Sequence, residues 1–242
     1  MSVVVAAYQA WSTIAEALHS VRSQTISPLE IVVCDDGSTD GTADRARSVA
    51  GEVRIVSQGN AGEAAAKNAA VAAARGEFVV VLDADDVWLP RRLEALTWLA
   101  TRRADLDILV TDAFIEVGGT RVRNAYHPGW PFAVDDQRRA ILERNFILGM
   151  AAVRRSRWLE IGGFDERLTH TADWEFWQRL VLDGSRVGLV DAPLARYRLS
   201  PEGMSSQRDE LVRNRVLVLE RVLARSDLSD RAGKYVSPGN YN

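Results

Sequence analysis

The sequence predicts an α/β domain: an open, mainly parallel sheet flanked by helices. Two observations carry that prediction. Strand-like and helix-like segments alternate from the first residues, and the strand-like ones are continuous apolar runs rather than two-faced alternations. The acidic clusters Asp35-Asp36 and Asp83-Ala84-Asp85-Asp86 fall where two such runs end. In sheets of this kind ligands gather at the carboxyl ends of strands. At 242 residues the chain can also bury a large core without covalent staples.

Ser2 to Ala7, with three successive valines, reads as a strand buried on both faces. Thr13 and Glu16 have the spacing of a capping box and open a helix whose apolar stripe is Ile14, Leu18 and Val21. Leu29 to Cys34 is the second strand, ending in the turn-rich loop Asp35-Asp36-Gly37-Ser38-Thr39-Asp40-Gly41. A helix over Thr42 to Ala50 and a strand over Val53 to Ser57 follow. Gln58-Gly59-Asn60-Ala61-Gly62 leads into an alanine-rich helix ending near Arg75-Gly76, and Phe78 to Leu82 is the fourth strand. Pro90 sits where a first helical residue belongs, before a helix over Arg91 to Arg103. Asp107 to Phe114 is the fifth strand, and Gly118-Gly119 turns the chain back into Thr120 to Asn124.

Beyond residue 125 the pattern is less regular. Asp135 to Asn145 is expected to be helical and Leu148 to Val153 extended. Trp158 to Ile161 closes a short helix stopped by Gly162-Gly163, and Ala172 to Leu182 is another helix. A strand near Val187 to Val190 and an extended Ala195 to Leu199 come next. A last helix, about Gln207 to Ala224, is expected to pack through Val212, Val216, Leu219 and Leu223 rather than to anchor in a membrane.

Composition narrows the function. A net charge of −3, with 47% hydrophobic and 26% charged residues, describes a globular protein and makes no case for a nucleic-acid binder. The single cysteine, Cys34, excludes a disulfide framework and a multi-thiolate zinc site, and is read as a small core residue. No apolar run approaches the roughly 18–20 residues of a membrane span, so a cytoplasmic protein is expected. Arg208, Arg213, Arg215, Arg221 and Arg225 on the last helix leave room for peripheral attraction to anionic lipid.

Several carboxylates at the strand ends of one sheet repel one another unless a cation lies between them. Asp83 and Asp85, two apart at a strand end, point the same way and suit a hard cation such as Mg2+ or Mn2+ and a ligand it carries. Asp86 reads equally as part of that cluster or as a cap for the helix after Pro90. Two aspartates at the mouth of the second strand exceed what a turn requires, and a carboxylate there suits the N3–H of a uracil or thymine ring. Trp174 and Trp177 are read as sugar-stacking or core residues. His19 and His127 are read as structural and His170 as a surface residue. The doublets Arg91-Arg92, Arg102-Arg103, Arg138-Arg139 and Arg154-Arg155 are read as solvated faces.

These segments carry a resemblance. Val3-Val4-Val5-Ala6-Ala7-Tyr8-Gln9, Val33-Cys34-Asp35-Asp36-Gly37-Ser38-Thr39-Asp40-Gly41-Thr42 and Val81-Leu82-Asp83-Ala84-Asp85-Asp86 resemble the signature of the inverting, family-two nucleotide-sugar glycosyltransferases of the GT-A fold. Asn60-Ala61-Gly62 with Ala66-Lys67-Asn68 resembles the donor-site loop and helix. Gly162-Gly163-Phe164-Asp165-Glu166 followed by Asp173-Trp174 resembles the acceptor-side motif. The likeness runs over about residues 2–205. It departs from the family at Ala6 and Gln9 (usually proline and asparagine), at Lys67 (usually arginine), at Ala172 (usually glutamate) and at Ser200, where a histidine often follows Tyr197-Arg198.

The resemblance implies a donor site lined by Ala6, Tyr8, Asp35, Asp36, Asn60, Lys67, Asp83 and Ala84, with Asp36 holding the base. It implies metal ligation by Asp85 and Asp83 through the D-x-D motif, Asp173 as the base that deprotonates the acceptor hydroxyl, and Trp174 and Glu175 on the acceptor side. The implied organisation is one GT-A domain over residues 1–226, with a nucleotide-sugar half to about 115, an acceptor half over about 116–205, a packing helix over about 206–226 and a loose tail. The implied reaction moves a sugar, from a UDP-sugar first of all, to a saccharide, lipid-linked or small-molecule acceptor, as in polysaccharide or other glycoconjugate synthesis.

A receiver domain would place its acidic pair after the first strand and end within half this length. A nucleotidyltransferase would open with a glycine-rich loop, which Ala6-Ala7-Tyr8-Gln9 lacks. A non-catalytic sugar-binding relative is the remaining alternative.

Overall fold

The computed structural model describes residues 1–50, 52–168, 171–199, 216 and 218–221. Its first half is a parallel sheet of β1 (Ser2–Ala7), β2 (Glu30–Asp35), β3 (Val53–Ser57) and β4 (Phe78–Asp83), in the order β3-β2-β1-β4. Val3 and Val5 of central β1 pack with Ile14, Leu18 and Val21 of α1 (Ile14–Arg22). Val4 faces the other side, towards Ala66, Ala70 and Val71 of α3 (Glu63–Ala73). Both faces are therefore covered, which is why these strands read as unbroken apolar runs. Helix α2 (Thr42–Ala50) lies between β2 and β3 in sequence.

The second half is mixed. It contains β5 (Val87–Trp88), α4 (Arg92–Arg102), β6 (Ile108–Val117), β7 (Thr120–Asn124), α5 (Gln137–Glu143), β8 (Ala152–Arg154), α6 (Arg155–Ile161), α7 (Ala172–Leu182) and β9 (Val187–Leu199). The sheet continues β4-β8-β6-β9-β5, with β7 hairpinned onto β6. Strand β8 is antiparallel to both β4 and β6 and so separates the fourth and fifth predicted strands. The parallel character is confined to β3-β2-β1-β4 and to the β6–β9 pair. The two extended pieces expected near residues 187 and 195 are one strand, whose register against β6 shifts between Thr111 and Phe114.

Several local expectations are corrected. Thr13 has a helical backbone and Ile14 N already donates to Ala10 O, so the Thr13 hydroxyl donates to Ala10 O at 3.4 Å and makes no cap bond. Glu16 pairs instead with Arg198 at 2.7 Å, so no capping box forms. Arg92 is not on a solvated face. It is fully buried, with Nη2 donating to Met150 O at 2.6 Å and Nη1 to the Thr111 hydroxyl. Arg154 is also engaged, by Asp107 and Glu77. Trp177 is a core residue stacked among Phe164 and Phe176. In the last helix Leu219 packs against the core as expected, but Val216 is exposed and Val218 is the buried residue beside it. Val212, Leu223, His170, Ser200 and the tail lie outside the described residues.

Candidate active site

Strand register brings the acidic loops together. Ala7 of β1 pairs with Asp35 of β2, and Ala6 pairs with Asp83 of β4, so all four stand at one sheet edge. Asp36 follows directly and is almost fully buried. Its carboxylate accepts hydrogen bonds from Gln58 Nε2 (2.7 Å), Ala61 N (2.9 Å) and Gly62 N (2.9 Å). It thus clamps the loop that carries Asn60 into α3 and keeps one lone-pair position on Oδ2. Asp35, also buried, receives among the described residues a single side-chain contact, from Ser38 N at 3.4 Å. Gly37 makes the close approach possible: its φ is 78°, and a Cβ there would lie 2.9 Å from Asn60 N. Tyr8 is exposed on the rim. Gln9 ties the β1 loop to the β2 loop, its amide oxygen accepting from Thr39 N at 2.8 Å. Burial, then the charges of Asp36 and Asp35, push the Cys34 thiol up to about 11, which leaves it an inert core group.

The D-x-D loop is pinned from below. Buried Lys67 pairs with Asp83 at 2.7 Å and with Glu63. Burial works against charge on Lys67, but the two carboxylates more than reverse it and hold the ammonium protonated. Asp85 has no such partner among the described residues. Partial loss of water, then the charge of Asp83, raises its carboxyl above the usual range. Asp86 does not cap α4, whose N-cap is Arg91. Asp86 is buried, its Oδ1 accepts Arg198 N at 2.9 Å, and Oδ2 has no hydrogen-bond partner among the described residues. Burial and the Asp83 charge raise it well above the ordinary range. This mouth therefore holds more negative charge than its neighbours neutralise.

Hard carboxylate oxygens with uncompensated charge fit Mg2+ or Mn2+. Asp85 and the Asp83 oxygen that is unpaired among the described residues would hold the ion. No group of three metal-ligating side chains exists among the described residues, so substrate oxygens would complete the shell.

A cavity of about 750 Å3 runs from Lys67 and Asp83 to Asp173 and Trp174. Asp173 is the second residue of α7, not its cap, which is Thr171. Its Oδ1 accepts Trp174 N at 2.7 Å and its Oδ2 accepts Asn145 Nδ2 at 2.9 Å. Enclosure of the carboxyl raises its pKa above the ordinary value, against these two hydrogen bonds. Trp174 is buried in the cavity wall, its indole N–H donating to Ile141 O at 2.7 Å.

Glu175, expected on the acceptor side, does not line this cavity. It is buried in a bidentate ion pair with Arg179, both contacts at 2.7 Å. Arg179 also donates to Ile161 O and Gly163 O, so the pair braces the turn before α7. Asp165 is likewise occupied: Arg167 and Arg221 hold its carboxyl down at about 2. Asn68 joins the two halves of the site. Its Oδ1 accepts Phe164 N at 2.9 Å, and its Nδ2 donates to Phe164 O at 2.9 Å.

The structure thus gathers Lys67, Asp83, Asp173 and Trp174 round one cavity. Ala6, Tyr8, Asp35, Asp36, Asn60, Ala84 and Asp85 lie outside its lining. Sequence reasoning missed Arg123, His127, Arg144 and Asn145, which do line it. His127 was expected to be structural, and nothing local in sequence distinguishes any of the four.

A parallel β3-β2-β1-β4 half with acidic loops at the ends of β2 and β4, continued by a mixed half, has the architecture of the GT-A class of nucleotide-sugar glycosyltransferases. The chain belongs to glycosyl transferase family 2, whose family model matches residues 2–160. It is 30% identical over 185 residues to a chondroitin synthase of Pasteurella multocida (strain Pm70), covering 74% of this chain and 18% of the synthase. A hyaluronan synthase of Pasteurella multocida matches to the same extent, so the chain spans about a fifth of the length of these relatives. Over 95 residues it is 36% identical to the Escherichia coli UDP-Glc:alpha-D-GlcNAc-diphosphoundecaprenol beta-1,3-glucosyltransferase WfaP, covering 38% of each chain. The fold is shared with S. aureus TarS in complex with UDP-GlcNAc, at TM-score 0.75 and 19% identity, covering 97% of this chain and 70% of that one. It is also shared with the mannosyltransferase PcManGT of Pyrobaculum calidifontis in complex with GDP-Man and Mn2+, at TM-score 0.70 and 22% identity, covering 97% and 67%.

Proposed function

We propose that this chain transfers a sugar from a UDP-sugar to an acceptor hydroxyl, with inversion and with the help of Mg2+ or Mn2+. The observation that carries the reading is the single cavity joining the Lys67–Asp83 wall to Asp173. The nucleotide lies over the sheet edge, where Asp36 or its freer neighbour Asp35 accepts the N3–H of the base, with Ala6, Tyr8, Asn60 and Ala84 round it. Asp85 and Asp83 would hold the cation, which would supply positive charge against the leaving diphosphate. Asp173 takes the acceptor proton, and its raised pKa makes it a better base than an ordinary carboxylate. One base facing one leaving group suits direct displacement. A two-carboxylate hydrolase would need no diphosphate site.

The named activities of the relatives support a role in polysaccharide or lipid-linked glycan synthesis. Residues 1–115 then serve the donor and 116–205 the acceptor, within one domain extending to 226. No helix among the described residues is long and apolar enough to cross a membrane. We assign the chain to the cytoplasm, with peripheral contact at the inner membrane face when the acceptor is lipid-linked. Thermal unfolding tests the donor half. UDP with Mn2+ at about 100 times its Kd should add about 2.7 kcal/mol and raise Tm by several degrees, and chelator should remove most of that rise. Absence of any shift with UDP, GDP or dTDP would reject the reading.

A further inference from the structure

The cavity carries positive charge that the proposed reaction leaves unused. Arg123 and Arg144 supply it, with the His127 imidazole beside them, on elements distinct from the Lys67–Asp83 wall. Arg123 stands in a row with Ile115 and Tyr197 across β7, β6 and β9, and all three line the cavity. Among the described residues its guanidinium makes one hydrogen bond, Nη1 donating to Asn124 O at 3.1 Å. Arg144 follows α5; its Nη2 donates to Pro131 O at 3.0 Å, and its buried Nε has no hydrogen-bond partner among the described residues. His127 Nδ1 accepts Gly129 N at 3.2 Å, which leaves Nε2 as the ring's donor.

Neither guanidinium pairs with a carboxylate among the described residues. Arg154, Arg157 and Arg179 elsewhere all do. Arg123 is exposed at the cavity's rim and Arg144 is half-buried, and arginines without counter-ions among the described residues form a ready site for a planar or tetrahedral anion. Its place in the cavity says which substrate supplies that anion. Arg144 immediately precedes Asn145, whose amide holds Asp173, so the positive wall borders the proposed base. The diphosphate, by contrast, belongs with Asp83 and Asp85 at the end of β4.

We propose that Arg123 and Arg144, with His127, recognise an anionic group on the acceptor, a carboxylate or a phosphate close to the hydroxyl that is glycosylated. This rests on the proposed glycosyltransferase function and makes these residues determinants of acceptor choice. Charge-assisted hydrogen bonds of this kind favour a charged acceptor over its neutral isostere by about ten-fold or more.

Calorimetric titration of the full chain in UDP and Mn2+ tests the assignment. Three probes are compared: a glucuronic-acid-terminated disaccharide, the neutral disaccharide with glucose in its place, and a sugar 1-phosphate. One charged probe should bind about ten-fold or more tighter than the neutral one, and which of them does so separates carboxylate from phosphate. Arg123→Gln combined with Arg144→Gln should erase that preference while leaving UDP affinity within about two-fold, and Arg144→Lys should keep part of it. Equal binding of charged and neutral probes, no binding of any probe, or a preference that survives in the double variant would overturn the inference while leaving the enzyme class intact. A loss that falls on UDP instead would assign the arginines to the diphosphate and also overturn it. Failure of the unaltered chain to bind UDP at all would reject the proposed function, and this inference with it.

Discussion

Asp173→Asn should slow sugar transfer by roughly 10²–10⁴-fold while leaving the fold and UDP affinity near those of the unaltered chain. Asparagine keeps an oxygen for Trp174 N, so the start of α7 is preserved, but its amide cannot take a proton. Two opposing effects keep the stability change small. The amide meets Asn145 less well than the carboxylate does, yet a group whose charge is disfavoured in the fold becomes neutral. The sign follows from the raised pKa. The stability this group contributes is complete below its unfolded pKa and is lost as pH rises through its higher folded value. Catalysis runs the other way, because the base works only when deprotonated. The acid limb of the transfer–pH profile should therefore lie above the ordinary carboxylate range, and the slow residual rate of the variant should lack that limb. Transfer within a few-fold of normal would reduce Asp173 to a brace for α7. Neither Glu175 nor Asp165 would inherit its role, since both are committed to arginines.

Asp85→Ala should abolish the metal-dependent part of UDP binding with little effect on folding. Asp85 is exposed and forms no ion pair among the described residues, and Asp83 already repels it, so its removal breaks no packing. Asp83 is a poorer probe of the metal. Its loss would leave buried Lys67 with Glu63 alone, and an undercompensated buried charge destabilises by several kcal/mol. Titration of UDP with and without Mn2+ reads the difference directly. Manganese should strengthen binding to the unaltered chain and do nothing for Asp85→Ala. An equal manganese response in both would remove Asp85 from the metal site.

What the sequence disclosed depended on the range of the forces involved. Ser2–Ala7, Thr42–Ala50, Val53–Ser57, Thr120–Asn124 and Ala172–Leu182 begin and end where periodicity and turn residues place them. Those are local signals. The antiparallel insertion of β8 between β4 and β6 is not local: Ala152 and Val153 look the same whichever strand they pair with. The capping box failed because a turn from Ala10 had already taken Thr13 into helical geometry, which spacing alone does not reveal. Arg92 looked like surface because its partners, Thr111 and Met150, are far away in sequence. The carboxylates were legible because motifs at strand ends report their own position. Arg123, His127, Arg144 and Asn145 were not, because only the folded sheet and α5 bring them to one cavity. The engagement of Glu175 was not legible either: one helical turn separates it from Arg179, and burial decides whether such a pair is a brace or a free group.

Turnover of the donor tests the central claim most directly. UDP-glucose, UDP-N-acetylglucosamine and GDP-mannose would each be incubated with the full chain, Mn2+ and a panel of neutral and acidic saccharide acceptors, and released nucleoside diphosphate measured. We expect release from at least one donor, dependence on acceptor, arrest by excess chelator, and a product whose new glycosidic bond has the anomeric configuration opposite to the donor's. Release undiminished in chelator, or a product that retains the donor's configuration, would contradict the claim.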